Sequence, residues 1–369
     1  MSVKLSDYDF SYPESAVALR PAEQRDASAL FVLNRKDGVL TKACFSDLPQ
    51  YLQTGDVLVR NTTRVVPVRF QARRKGGGVS EVFVIGNAQG DPVCLADGDL
   101  RGNPCLLMAM ISRGKRVSEG SVLALSDDVE IHVQKNLGAG RWLIQVQGVT
   151  SPVQNVENIF VTLGRMPVPP YLRDKHQSED PQLESENFSR YQTTFAKTEG
   201  SIAAPTAGLH FTPAVDASLR AKGIEILEVV LHVSMGTFQP IRDEDVRLHK
   251  MEAEYFSIPP ETREHLRTAR QQGRRIIAVG STVTRTLETL IRRDPNLNQI
   301  KSGWTDLFIH GDFSFQCVTG LITNFHLPKS SLLLMVSAFA GRERILHAYE
   351  LAIAQGARLF SYGDAMLLI

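Results

Sequence analysis

Between Val68 and Val149 the chain abandons any helical period. Short β-like runs follow one another: Glu81 to Ile85, Cys105 to Ile111, Ser121 to Leu125, Val129 to Val133 and Arg141 to Val146. Glycine-bearing turns separate them, as in Lys75-Gly76-Gly77-Gly78, Ala96-Asp97-Gly98-Asp99, Ser118-Glu119-Gly120 and Leu137-Gly138-Ala139-Gly140. So many short strands with no helix to cover them leave edges that closure alone removes. A small β-barrel over residues 68–149 is therefore expected, inserted into a main domain made of residues 1–67 and 150–369.

The flanking sequence reads differently. An apolar run at Ala29 to Leu33 and another at Asp56 to Arg60 precede the barrel. After it come a helical pattern at Val156 to Leu163 and a polar stretch from Asp174 to Glu186 expected to be a loop. Strand and helix then alternate: strands at Glu225 to Val233, Ala253 to Ile258, Arg274 to Val279 and Asp306 to His310, and helices at Pro259 to Gln272, Thr282 to Arg293, Ser331 to Ala340 and Arg342 to Gln355. That order predicts an α/β layer with parallel strands. In the helix from Thr282, Val283, Leu287, Leu290 and Ile291 make one apolar face, so Arg285 and Glu288 are expected to point to a cleft or to solvent.

Within this frame one stretch reads as a site. From Gly200 to Thr212, small and turn-forming residues crowd around His210. Pro205 biases Ala204 away from helix, and Gly208 permits a close approach of the backbone. Thr212-Pro213 reads as the cap and first position of a helix that Gly223 ends. A lone histidine in such a place also serves to cap a turn. Similar polar clusters end other apolar runs: His232 to Phe238, Gly280-Ser281-Thr282, Thr323 to Ser331, and Ser361 to Met366. Helix starts at Thr212 and Ser281 offer N–H groups to an anion. Arg64, between a polar turn and a strand, suits a phosphate or carboxylate, or equally a surface acid.

The composition narrows the function classes. A net charge of +1 over 369 residues excludes a grossly basic nucleic-acid binder but leaves local clusters. These are Arg69, Arg73, Arg74 and Lys75; Arg113, Lys115 and Arg116; Arg270, Arg274 and Arg275; and Arg292 with Arg293. Cys44, Cys94, Cys105 and Cys317 lack metal or redox spacing, and the histidines lack zinc spacing, so no metal is expected and a reducing, cytoplasmic setting is. No secretory signal is evident at Met1 to Phe10. The apolar run at Ser331 to Ala340 is about half of the ~20 residues a membrane span needs, so no membrane partner is expected.

Read together, Ala203 to Thr212 and Thr323 to Ser330 closely resemble the S-adenosylmethionine:tRNA ribosyltransferase-isomerase family of bacterial queuosine biosynthesis. The likeness runs nearly end to end. It implies an α/β-barrel-like main domain with the inserted β-barrel. It also implies a transferase in which S-adenosylmethionine, a co-substrate with no permanently bound cofactor beside it, gives its ribosyl carbons to the aminomethyl group of a 7-deazaguanine in the tRNA wobble position. Adenine and methionine leave, and epoxyqueuosine-tRNA results. A base must take the 5′ proton that the sulfonium acidifies, and an acid must assist the departure of adenine.

Carried onto this sequence, the resemblance points to His210, His326 and His232 as catalytic candidates. Thr206, Gly208, Thr237, Ser281, Thr282, Arg285 and Lys329 are expected at S-adenosylmethionine, and Asn61, Arg64, Asn324, Tyr362 and Asp364 at the tRNA base. A monomer is expected. The chain departs from the family pattern at Thr62, Ser234, Glu252, Val283 and residues 309–313, which keeps two other classes in view: a diverged member with another acceptor, and a non-catalytic RNA-binding protein on the same scaffold.

Overall fold

The computed structural model describes residues 3–93, 105–112, 117–149, 156–175, 181–238 and 240–369. The turn at Ala96 to Asp99 and the basic cluster Arg113, Lys115 and Arg116 lie outside the described residues, as does the side chain of Thr237. The chain forms two compact units. One comprises Met1–Thr62, Gln192–Ala196 and Pro205–Ile369; the other comprises Thr63–Tyr191 and Lys197–Ala204.

The first unit is built on a nine-stranded sheet. Its order is Ser302–Thr305, Glu254–Ser257, Glu225–Leu231, Val57–Asn61, Ile276–Val279, Gly320–Asn324, Ala365–Leu368, Ala29–Leu33 and Leu40–Cys44. Val57–Asn61 lies inside the sheet and is buried at every position, its first three residues apolar and its Arg60 and Asn61 enclosed with them. The expected parallel layer holds for the four middle strands, from Glu225–Leu231 to Gly320–Asn324; the strands outside them make the sheet mixed. One face is covered by the turn Thr206–His210 and the helix Pro213–Ala221, whose Phe211, Val215 and Leu219 join Leu30, Leu58, Ile277, Ile322 and Leu367 in one core. That helix starts as its sequence dictates: Val215 donates its N–H to Thr212 Oγ1 at 3.3 Å, Pro213 occupies the first turn, and Gly223 follows the end at a φ of +80°.

In the second unit six antiparallel strands close into a barrel: Arg141–Gly148, Cys105–Ile111, Val79–Asn87, Arg69–Arg74, Val122–Ala124 and Val129–Gly138. The α/β class with a closed inserted β-barrel, read from turns and periodicity, is what the chain adopts. Alternation sets the faces, with Phe70 and Ala72 inside and Gln71 and Arg73 outside. Gly77 and Gly78, both at a φ of +79°, make the turn that joins two of the strands. This unit also holds helix Val156–Leu163, whose Phe160 meets Phe70 edge-on at 5.1 Å.

Two expectations are corrected. The strand expected at Asp306 to His310 lies earlier, at Ser302–Thr305, where it pairs with Glu254–Ser257; Leu307 N–H then bonds Thr305 Oγ1 and the chain leaves the sheet. The loop expected from Asp174 to Glu186 contains the start of a helix, Pro181–Arg190, because Pro181 opens a first turn and Glu184 is anchored by Arg69 at 2.8 Å. Residues 176–180 of that stretch are outside the described residues.

Candidate active site

Strand direction assembles the site. The four parallel strands all end at one edge of the sheet, which carries Asn61, His232, Gly280 to Thr282 and Asn324. Ala365–Leu368 runs the opposite way and Ala29–Leu33 runs with it, so Asp364 and Ser28, just ahead of those strands, stand at the same edge. Six segments far apart in sequence thus meet where open α/β sheets bind their ligands.

His210 is the best-anchored group there. Ser28 Oγ lies 2.7 Å from its Nδ1 and donates its own proton to the Arg25 carbonyl at 3.1 Å. With that proton committed, Ser28 accepts from the ring, so Nδ1 carries hydrogen and Nε2 is the acceptor. Asn324 Nδ2 donates to Nε2 at 3.2 Å, while Asn324 Oδ1 is buried with no partner among the described residues. Phe45 lies against the ring at 5.1 Å. Burial, aided by the charges of Arg25 and Arg358, pulls the His210 pKa down to about 4, leaving the imidazole neutral at pH 7.

The other two histidines are held separately. Thr323 Oγ1 bonds His326 Nε2 at 2.7 Å, and His326 N–H donates to the Tyr349 hydroxyl at 3.0 Å. Thr323 and Asn324 are successive strand residues, so the bonds that hold His326 and His210 leave the sheet on opposite faces. Burial lowers His326 to about 3 and His232 to about 4. His232 stacks on Tyr255, with ring planes 10° apart.

The remaining predicted residues divide. Asn61 clamps the neighbouring strand: its Nδ2 donates to the Leu231 carbonyl at 2.8 Å and to Thr282 Oγ1 at 3.3 Å, and its Oδ1 accepts from Leu231 N–H at 3.0 Å. Asp364 accepts from the N–H groups of Ala29 and Arg358, and burial raises its pKa. Tyr362 is buried, and Thr206 and Ser281 are half-buried. Lys329, at a φ of +55°, pairs with Asp9 at 2.7 Å. Arg64 belongs to the barrel-bearing unit, is exposed, and lies 4.0 Å from Glu199.

Three expectations change. Gly208 does give a close approach, but to protein: a Cβ there would lie 2.9 Å from both Phe195 Cζ and Thr193 Cγ2. Arg285 is not free for a cleft. It is buried and ion-paired with Glu254, which also accepts from Ser234 N–H at 2.9 Å. Glu288 is likewise enclosed and accepts from the N–H groups of Gln316, Cys317 and Val318. The cause is common to both: nearly the whole helix Gly280–Arg293 is buried, so its polar side chains find partners within the protein. Ser28 and Glu254 escaped the sequence reading. Inward alternation of Glu254–Ser257 is the one signal that pointed to Glu254.

Among the described residues no three His, Cys, Asp or Glu side chains converge as metal ligands, and no helix is long and apolar enough to cross a membrane. Neutral imidazoles, amides and hydroxyls along the carboxyl edge of an α/β sheet define an enzyme scaffold suited to proton transfer on a polar ligand. The comparisons make this specific. The family model described as queuosine biosynthesis protein matches residues 5–368, and the chain belongs to this enzyme family. It is 41% identical over 370 residues to the S-adenosylmethionine:tRNA ribosyltransferase-isomerase of Desulfitobacterium hafniense and 39% identical over 367 residues to that of Thermotoga maritima, with 100% of each chain covered. The crystal structure of S-adenosylmethionine tRNA ribosyltransferase from Thermotoga maritima matches 98% of this chain and 100% of its own, with a TM-score of 0.52 and 30% identity.

Proposed function

We propose that the protein transfers and isomerises the ribosyl moiety of S-adenosylmethionine onto the aminomethyl group of 7-aminomethyl-7-deazaguanine at the tRNA wobble position, giving epoxyqueuosine-tRNA, adenine and methionine. The observation that carries this is the clamp of Ser28 and Asn324 on a neutral His210 at the carboxyl edge of the sheet, within the motif that the family resemblance singles out. In this reading His210 Nε2 takes the 5′ proton once the Asn324 amide yields to the substrate. The depressed pKa keeps that nitrogen unprotonated at neutral pH.

His326 and His232 are the further catalytic candidates, and being held neutral by burial each would act by hydrogen bonding to the leaving adenine or the opened sugar. Thr206, Gly208, Ser281, Thr282 and Lys329 are proposed around S-adenosylmethionine, and Asn61, Arg64, Asn324, Tyr362 and Asp364 around the base. The barrel over residues 68–149 is then the insert, and the large sheet carries the chemistry. We take the enzyme to act as a cytoplasmic monomer without a metal.

The departures from the family pattern support a second reading, a diverged member with another nucleoside acceptor. Thr62 and Val283 are both buried, and Thr62 Oγ1 bonds only the Val229 carbonyl at 3.2 Å among the described residues, where the family pattern has an acid. Incubation with precursor-modified tRNA and S-adenosylmethionine tests both. Free adenine with the matching mass gain on the tRNA is expected. Adenine without that gain favours another acceptor, and intact S-adenosylmethionine with retained tRNA binding removes catalysis from the account.

A further inference from the structure

Two neighbours near the end of helix Pro181–Arg190 reverse the usual order of burial. Asn187 is buried at 6% exposure, whereas the next residue, Phe188, is 39% exposed. Globular helices turn most aromatic residues in and amides out, so Phe188 offers a ring face to solvent, and its surroundings decide whether that face has a use. Phe188 lines a cleft of about 550 Å³ within the barrel-bearing unit, together with Gln71, Arg73, Thr162, Arg165 and Glu184. That size falls within the roughly 300–1,000 Å³ of small-molecule sites.

The charges of the cleft select its occupant. Glu184, the acid in this set, turns Oε1 to the buried Arg69 at 2.8 Å, its Oε2 has no hydrogen-bond partner among the described residues, and Arg165 adds a second cation to the lining beside Arg73. Arg73 stands on the outward face of strand Arg69–Arg74, exposed, and its side chain makes no hydrogen bond or ion pair among the described residues. An exposed aromatic face flanked by an uncompensated guanidinium fits a nucleobase and its phosphate: every base has a π-face to stack, and arginine holds the backbone.

We propose that this cleft binds one unstacked nucleotide of the tRNA, its base on Phe188 and its phosphate on Arg73, as an anchoring site apart from the chemistry. It rests on the reading of tRNA as substrate. The test is equilibrium binding of precursor-modified tRNA to the full chain by fluorescence anisotropy, together with adenine release. Phe188→Ala should weaken binding by about 5- to 100-fold, the usual effect of losing one base-aromatic stack. Phe188→Tyr should restore it, and Arg73→Gln should lower the slope of log affinity against log salt by about one. KM for tRNA should rise while kcat at saturating tRNA and the Tm stay unchanged.

Unchanged affinity in Phe188→Ala, or failure of Phe188→Tyr to restore it, overturns the site alone. So does a dimer in sedimentation that disperses in Phe188→Ala while tRNA affinity is kept, since Phe188 would then be a contact between copies. Wild-type protein that binds no tRNA overturns the functional reading and the site with it.

Discussion

Ser28 Oγ stands 2.7 Å from Nδ1 of His210 and sends its own proton to the Arg25 carbonyl, so the serine fixes which ring nitrogen is protonated. Residue 28 sets the state of residue 210 across the sheet. Ser28→Ala removes that acceptor and leaves a buried N–H, at about 1–3 kcal/mol of stability. It should also lower single-turnover adenine release by roughly tenfold through loss of orientation, equivalent to 1.36 kcal/mol of barrier. His210→Gln, which removes the base itself, should lower it by about 10²–10⁴. A purely structural His210 would give folded variants of both kinds with wild-type rates.

The buried imidazoles make the fold acid-sensitive. His210, His232 and His326 have pKa values of about 4, 4 and 3 in the folded protein, against 6.5 for the free side chain, because burial disfavours their charged forms. Between pH 6.5 and those values the unfolded chain binds more protons, so stability falls as pH falls and is flat in this respect above the window. Each histidine contributes up to about 1.4 kcal/mol per pH unit. Urea titrations at pH 7.5 and 5.5 should show a lower midpoint at the acid pH, and His232→Gln should reduce that difference. Equal midpoints would leave the histidines solvated.

What the sequence made legible was local. Turn glycines at Gly77 and Gly138 announced the barrel, and Thr212-Pro213 announced its helix; each is a signal spanning a few residues. Motif residues at strand ends announced the edge of the sheet without its order. The pairing of Ser28 with His210 joins positions 182 apart, and that of Arg285 with Glu254 joins positions 31 apart, so both depend on which strands become neighbours. Amphipathic spacing misread Arg285 and Glu288 for the same reason. It separates apolar from polar faces but does not reveal when the polar face is itself covered by protein.

The pair of Arg285 and Glu254 is enclosed on both sides, with side-chain exposures of 6% and 1%. Breaking such a pair strands a charge, so Glu254→Gln should destabilise by about 3–5 kcal/mol. Replacing both partners with apolar residues, Glu254→Leu with Arg285→Met, should recover most of that loss, since the desolvation penalty goes with the charges. Denaturant midpoints of the single and double variants decide it. A double variant as unstable as the single would mean that the pair contributes more than its own neutralisation.

Gly208 offers a purely steric test. Its missing side chain is occupied by Phe195 and Thr193, each 2.9 Å from where a Cβ would sit. Gly208→Ala should therefore destabilise by roughly 1–3 kcal/mol through overpacking. Combining it with Thr193→Ser, which removes the methyl carbon Cγ2, should relieve part of the loss. If Gly208→Ala leaves Tm unchanged yet raises KM for S-adenosylmethionine, the glycine makes room for ligand and not for Phe195.

Lys329 separates a structural role from a binding role by competition. Its Nζ lies 2.7 Å from Asp9 Oδ2, and both side chains are about half exposed, at 47% and 49%. An ion pair so exposed is worth about 0–1 kcal/mol, so Lys329→Ala should barely move Tm. The residue also precedes Ser330, whose Oγ accepts Leu333 N–H at the start of helix Ser331–Ala340, a place where cation and helix N-terminus act together on an anion. If the methionine carboxylate of S-adenosylmethionine binds Lys329, it must displace Asp9. Lys329→Ala should then raise KM for S-adenosylmethionine about tenfold with KM for tRNA unchanged, while Asp9→Asn, which removes the competitor, should lower it. Asp9→Asn behaving like Lys329→Ala would mean that the pair matters as an intact bridge and that the carboxylate binds elsewhere.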